Sequence, residues 1–421
     1  MKQTIAEKKS SSIHRIIRTL IFAINVDLMT LQTLSSIRIL EFTHAVLGPA
    51  CGLILAELGA EVIRVEPPSG DPTRNLKGFG TGYYPFFNRN KKSIAVDIKT
   101  DSGRQIIFKL LERTDVLIEN FAPGTMERLG LSYEALSAMF PRLIYCSLKG
   151  FFPGPYANRL ALDEVVQMMS GLAFMTGPRG QPLRAGASVI DIATGMMGAV
   201  GVLAALRERD RTGKGQMVSS ALFETAAFIM GHHMAYAALS QQPIPPMPER
   251  VSAWAIYRTF TTVEGDLVFI GVTSDKQWIR FCESFERPDW LADERLSTNN
   301  KRIAQRDWLL PAIEDMIAQY SKAEVIRRCE QADIPFSPVA KPEDLFTDPQ
   351  LIEGCSLLPV VLPNGTQTYL PRLPLLLNST GAGLKCNPPR LGEHTRAILS
   401  DIGLRQEEIE QLITSGVIAA E

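Results

Sequence analysis

Between Ile37 and Glu66 the chain alternates in a way that leaves few folds open. Ile37-Arg-Ile-Leu-Glu-Phe42 reads as a strand, Thr43 to Pro49 as a turn, and Ala50 to Leu58 as a helix stopped by Gly59. Glu61-Val-Ile-Arg-Val-Glu66 then reads as a second strand. Glycine supplies the left-handed residue with which a helix ends, and a strand–helix–strand run pairs its strands in parallel. The strand signal returns at Ser93-Ile-Ala-Val-Asp97, Asp115-Val-Leu-Ile-Glu119 and Leu143-Ile-Tyr-Cys-Ser147, with helical stretches between. Alternation sustained over this length predicts an α/β fold, a doubly wound, Rossmann-like parallel sheet.

A chain of 421 residues is long for one domain. Long helices are expected around Asp191 to Arg209 and Ala221 to Leu239, after which Gln242-Pro-Ile-Pro-Pro-Met-Pro248 marks a boundary. Trp254 to Val272 reads as a hairpin about Gly265, followed by three or four helices to about Pro338 and strands again from Leu357. The expected division is an N-terminal extension over 1–29, a large domain over 30–240, a smaller α/β domain over 241–345 and a C-terminal segment over 346–421 returning to the large domain. In the extension, five basic residues precede the short apolar run Leu20–Val26, which ends at Asp27 without a small-residue cleavage site. It is therefore read as disordered rather than as an export signal, with Met29 an alternative start.

Forty-four basic against 45 acidic residues give a net charge of -1, so nothing global attracts nucleic acid or an anionic membrane. No stretch reaches the roughly 18 uninterrupted apolar residues of a membrane span. The six cysteines show neither Cys-x-x-Cys nor paired Cys/His spacing, so no disulfide framework and no metal site is expected, and a reducing cytoplasm fits.

The turn after the first strand, His44-Ala-Val-Leu-Gly-Pro-Ala50, lacks the Gly-x-Gly-x-x-Gly of a dinucleotide fold. Arg211-Thr-Gly-Lys-Gly-Gln216 likewise lacks Walker A spacing. An NAD-dependent oxidoreductase is disfavoured accordingly. Arg64, Arg74, Arg89, Lys91, Lys92, Lys99, Arg128 and Lys149 gather near strand ends, with Tyr83, Tyr84, Phe86, Phe87 and Phe121 among them. Two readings stand: a phosphorylated nucleotide with an adenine ring and a long tail, or a solvated basic rim. Asp163 opens the apolar helical segment Asp163-Glu-Val-Val-Gln-Met-Met169. It is either an ordinary N-cap or a carboxylate nucleophile beside the positive end of a helix.

Six segments occur in order: Gly70-Asp-Pro-Thr-Arg74, Asn88-Arg-Asn-Lys-Lys-Ser-Ile-Ala95, Glu119-Asn-Phe-Ala-Pro-Gly124, Asp191-Ile-Ala-Thr-Gly195, Arg211-Thr-Gly-Lys-Gly215 and Leu391-Gly-Glu-His-Thr395. Together they resemble the class III CoA-transferase (CaiB/BaiF) family, the formyl-CoA and carnitine CoA-transferases, from about residue 30 to the C-terminus. The resemblance implies ring-shaped subunits, each a Rossmann-like large domain with a smaller α/β domain, interlocked as a homodimer. It implies Asp163 as the nucleophile, and CoA contacts at Ala45, Val46, Val96, Lys99, Asn120, Phe121, Arg128 and Lys149. The reaction implied passes CoA from an acyl-CoA, such as succinyl-CoA, to a carboxylic acid through an aspartyl-CoA thioester. Coenzyme A is then a substrate, with no tightly bound cofactor.

An Asp with an ordinary pKa near 3.9 needs no general base to attack. The intermediates need water excluded, a role expected of Met168 and Met169, and oxyanion donors, expected near Gly150 or Gly154. Two departures bear on substrate. Formyl-CoA transferase carries Gln at the position of Val46 and a glycine-rich small-domain loop not found here, so formate and oxalate are not the expected acceptors. A racemase of the same fold carries His before the Asp, where this chain has Leu162, and no histidine lies between 45 and 231. A non-catalytic acyl-CoA-binding protein is the remaining alternative. Arg159 and Arg184 are candidates to meet a second carboxylate on a dicarboxylic substrate.

Overall fold

The structure, a computed structural model, describes residues 30–249 and 252–421; the expectations for residues 1–29 fall outside the described residues. Six parallel strands form the main sheet: β1 (Arg38–Phe42), β2 (Glu61–Glu66), β3 (Lys91–Val96), β4 (Val116–Glu119), β5 (Ile144–Lys149) and β6 (Met217–Ala221). Their spatial order is β3-β2-β1-β4-β5-β6, with β1 bonded to β2 on one side and to β4 on the other. Winding reverses between β1 and β4, leaving a crevice beyond the carboxyl ends of these strands.

Period-two alternation explains why the strands read as nearly continuous apolar runs. Ile39, Val62, Val116, Ile118, Ile144 and Cys146 join one core with α1 (Leu47–Glu57). Leu40, Phe42, Ile63, Val65, Ile94, Leu117 and Tyr145 join the other with α2 (Asp101–Leu111). Helix α1 begins three residues earlier than the sequence suggests, since Leu47-Gly-Pro49 is already helical. Proline is tolerated there because the first turn leaves its N–H groups unpaired in any case. Gly59, at φ 119°, ends the helix as expected.

Asp163–Met169 forms the short helix α3, and Val189–Thr212 forms α4. By length and composition α4 is apolar enough to cross a membrane. It packs instead on α1 and β5 through two glycines. A Cβ on Gly195 would lie 2.8 Å from the Leu47 carbonyl oxygen and 3.0 Å from Ala50 Cβ, and one on Gly198 would lie 2.7 Å from Leu148. These absent side chains let the two helix axes approach.

The helix expected over Ala221 to Leu239 is divided into α5 (Leu222–Ile229) and α6 (Gly231–Ser240), preceded by strand β6. Met217-Val-Ser-Ser-Ala221 has little strand character of its own and owes its conformation to pairing with β5. A second compact unit, Pro245–Ile352, holds the antiparallel strands β7 (Ile256–Thr261), β8 (Leu267–Val272) and β9 (Phe336–Pro338). Gly265 turns the β7–β8 hairpin at φ 82°. Its core is aromatic, with Trp278, Phe281, Phe285 and Trp290 buried. Glu353–Glu421 belongs to the first unit. It adds the hairpin of β10 (Leu357–Val361) and β11 (Gln367–Pro371), the two-residue pair β12 (Leu376–Leu377) and β13 (Thr380–Gly381), and an edge strand β14 (Ile418–Ala419) antiparallel to β3.

Candidate active site

Asp163 is buried, 7% exposed, at the first helical position of α3. The N-cap is Leu162, whose side chain accepts nothing, so Asp163 does not cap its own helix as the sequence suggested. Its carboxylate crosses to the next helix. Oδ2 accepts the backbone N–H of Ile190 at 2.8 Å and that of Asp191 at 3.0 Å. These are first-turn donors of α4, a helix whose N-cap Ser188 supplies no side-chain cap. A 24-residue helix thus presents its positive end to this one carboxylate.

The other oxygen, Oδ1, accepts Nε2 of Gln167 at 2.5 Å. Gln167 stands one turn further along α3, at the spacing where helix side chains meet, and is fully buried. Its Oε1 accepts the N–H of Ala185 at 2.8 Å, so the amide is held at both ends and its orientation is fixed. Met168, expected to exclude water, is itself 46% exposed, whereas Val166, Gln167 and Ile190 are buried.

Asp191 brings a second carboxyl to the same place. It is pushed up to about 7, first by burial and then by the Asp163 charge, with Arg184 opposing. The Arg184 guanidinium lies 3.6 Å from Glu164 and donates through Nε to the Ala185 carbonyl, on the strap that holds Gln167. Arg159 instead lies over the Tyr156 ring at 4.9 Å.

Five of the eight residues expected to contact CoA meet at the crevice between β1 and β4. Asn120 accepts the His44 N–H at 2.9 Å and donates to the His44 carbonyl at 3.0 Å, bridging the two strand ends. Ala45, at φ 60°, and buried Val46 turn the chain into α1. Phe121 stacks on the His44 ring at 5.9 Å, so His44 is a surface residue of the crevice rather than a core one. Lys149 donates to Glu119 at 2.6 Å and to the Phe121 carbonyl at 2.7 Å, which fixes that loop.

The other three lie apart. Val96 is 1% exposed, with its backbone paired to Ile418, and offers no side chain to a ligand. Lys99 and Arg128 are exposed, on the β3–α2 connection and the Thr125–Arg128 turn. Much of the basic rim proves internal. Arg64 pairs with Glu41 and Asp71, Arg89 with Glu57 and Lys91 with Glu41, all inside the protein. Burial brings Lys91 down to about 8, partly offset by Glu41. Arg74 pairs with Glu66 and covers the Tyr84 ring at 4.0 Å. These cations brace β1, β2 and the 71–75 turn and are not free for phosphate.

The two halves of the site are joined through α4. From Asp191 to Gly195 the helix rises about 6 Å, and Gly195 rests on the first turn of α1. Gly150 lies against Ala161, where a Cβ would come within 2.4 Å, and its carbonyl accepts the N–H of Phe223. The Phe152 N–H goes to Glu224. The Ile190 and Asp191 N–H donors to Asp163 are absent from the sequence expectation. Backbone groups on a distant element leave no mark in residue identity; Gln167, four residues from Asp163, did leave one.

Within a parallel-dominated α/β fold, Asp163 is thus a buried carboxylate held on backbone donors. The model of CoA-transferase family III matches residues 34–395, and the chain belongs to that family. Among its relatives, the succinate–glutarate CoA-transferase of Agrobacterium fabrum is 32% identical over 394 residues, 90% of this chain and 97% of that one. The formyl-CoA:oxalate CoA-transferase of Streptomyces avermitilis is 30% identical, covering 92% of this chain and 100% of that one. The crystal structure of a CaiB/BaiF family protein from Brucella suis superposes with a TM-score of 0.79 at 31% identity, over 88% of this chain and 100% of that one. The protein is a CoA-transferase.

Proposed function

We propose that Asp163 carries the CoA through an aspartyl-CoA thioester. The observation that supports this is the double engagement of its carboxylate, with Oδ2 on two backbone N–H groups and Oδ1 on a fixed amide. Asp163 attacks the thioester carbonyl; a C–O bond forms, the C–S bond breaks, and the electron pair leaves on the CoA thiolate. The thiolate then attacks Cγ of Asp163, expelling the acyl group as a free carboxylate and leaving the aspartyl thioester. In that step negative charge develops on the aspartyl oxygen, and N–H donors at 2.8 and 3.0 Å on Oδ2 are the arrangement that stabilises it. An incoming acid reverses both steps, and no proton is gained or lost overall.

CoA lies along Ala45, Val46, Asn120 and Phe121 in this reading, with Lys99, Arg128 and Lys149 toward its phosphates. Lys99 and Arg128 are exposed, which suits phosphate contact, and Lys149 positions Phe121. The substrates in this reading are dicarboxylic, with Arg184, whose guanidinium lies near Glu164 and acts on Asp191, meeting the second carboxylate. The succinate–glutarate and succinyl-CoA:D-citramalate transferases among the relatives support that choice by their names. We further propose a cytoplasmic homodimer of interlocked Rossmann-like, ring-shaped subunits. The six free cysteines fit a reducing compartment, and the exposed apolar surface of α5 and α6 fits burial by a second copy.

The test is incubation with succinyl-CoA and a panel of acids, with acyl-CoA products read by mass spectrometry. Glutarate and its homologues are expected to accept CoA at least about tenfold faster than butyrate; equal rates would remove Arg184 from specificity.

A further inference from the structure

We infer that the Asp191 carboxyl is a proton-holding residue of this site, which must be neutral for an anionic acceptor and a thiolate to share the pocket with Asp163. The inference rests on the reading of Asp163 as nucleophile. Asp191 follows Ile190 in the first turn of α4, and its own N–H binds Asp163 Oδ2 at 3.0 Å, so the two residues are locked together. The site is crowded with negative charge in every step: a carboxylate nucleophile, a thiolate leaving group and a carboxylate substrate. An ionised Asp191 adds another at close range and in low dielectric, where like charges cost most.

The surrounding charges are few. From α3 come Asp163 and Glu164, and from the 177–188 strap comes Arg184, which is shared with Glu164. Helix α1 carries no charge until Glu57 at its far end, paired to Arg89, and α5 contributes Glu224, which accepts the Phe152 N–H. Arg184 is the cation that acts on Asp191, against the charge of Asp163, and a proton on Asp191 lowers the negative charge there further. Burial and the Asp163 charge hold that proton to about 7. Asp191 keeps its proton throughout the cycle, so the transfer stays balanced without it.

Below about pH 7 Asp191 is neutral and transfer is fast; above it the added charge opposes the acceptor. Asp191→Asn preserves a neutral donor of the same shape, and Asp191→Ala removes both donor and charge. Initial rates with succinyl-CoA and glutarate, taken from pH 5.5 to 9, test this. Wild type is expected to lose rate on the order of tenfold by pH 8. Asp191→Asn is expected to match it within about threefold at pH 6 and to stay flat. Asp191→Ala is expected to be flat but slower, mainly through KM for the acid. An Asp191→Asn profile that falls with wild type would overturn the inference. So would wash-in of solvent deuterium at the acyl α-carbon by wild type and not by Asp191→Asn, since Asp191 would then be moving a carbon-bound proton. Asp163→Asn, assayed alongside, separates the two readings: activity in that variant removes the nucleophile, whereas its loss with an unaltered Asp191→Asn profile removes only the proton-holding role.

Discussion

Asp163 and Gln167 stand one turn apart on α3, and the amide of Gln167 is itself clamped by the Ala185 N–H. That chain of contacts fixes the plane of the carboxylate, and nucleophilic attack is sensitive to orientation. Gln167→Ala removes the clamp without touching substrate. We expect kcat to fall about 10–100-fold, with KM for acyl-CoA nearly unchanged, as steady-state kinetics would report. A parallel rise in KM would instead mean that Gln167 shapes the CoA crevice. At this scale the sequence was half legible. Asp163 stood out through its place before an apolar helix, and Gln167 was recoverable from i,i+4 spacing. The Ile190 and Asp191 donors were not, because any residue but proline carries an N–H and these lie 27 and 28 positions away.

Helix α4 ties Asp163 to the β1–β4 crevice, because its first turn holds Asp163 and its second rests on α1 at Gly195. A valine at 195 places carbon 2.8 Å from the Leu47 carbonyl, so one helix must move. Overpacking of this kind costs about 1–3 kcal/mol. Gly195→Val is expected to lower the denaturation midpoint and to raise KM for acyl-CoA together. Gly82→Ala, where a Cβ meets nothing within 4 Å, should change neither. A destabilised Gly195→Val with unaltered KM would show that the helix pair does not position the crevice. Among elements, β1 to β5 were legible because burial on both faces makes their apolar runs dense. Strands β6 and β14 were not, since a strand with Val218 as its one strong strand former and a two-residue edge depend on neighbours for their conformation. Arg64, Arg89 and Lys91 misled for a related reason: sequence gives a cation's type but not its partner, and each proved buried against a carboxylate.

For the whole molecule, the apolar residues left in solvent on α5 and α6 are where the proposed homodimer is tested. Phe228 is 82% exposed, Met234 64% and Leu239 85%, all on α5 and α6. Light scattering is expected to give twice the chain mass, and Phe228→Asp with Leu239→Asp to give monomer or insoluble protein. A wild-type monomer would leave that surface needing a different partner. The claim that everything else depends on is covalent, and it is read most directly by mass. Protein incubated with succinyl-CoA, without acceptor, and digested under acid should yield a peptide heavier by CoA less water, localised to Asp163, with none from Asp163→Asn. That variant should also lose transfer on the order of a thousandfold. An adduct on another residue, or CoA exchange persisting in Asp163→Asn, would contradict the aspartyl-thioester route.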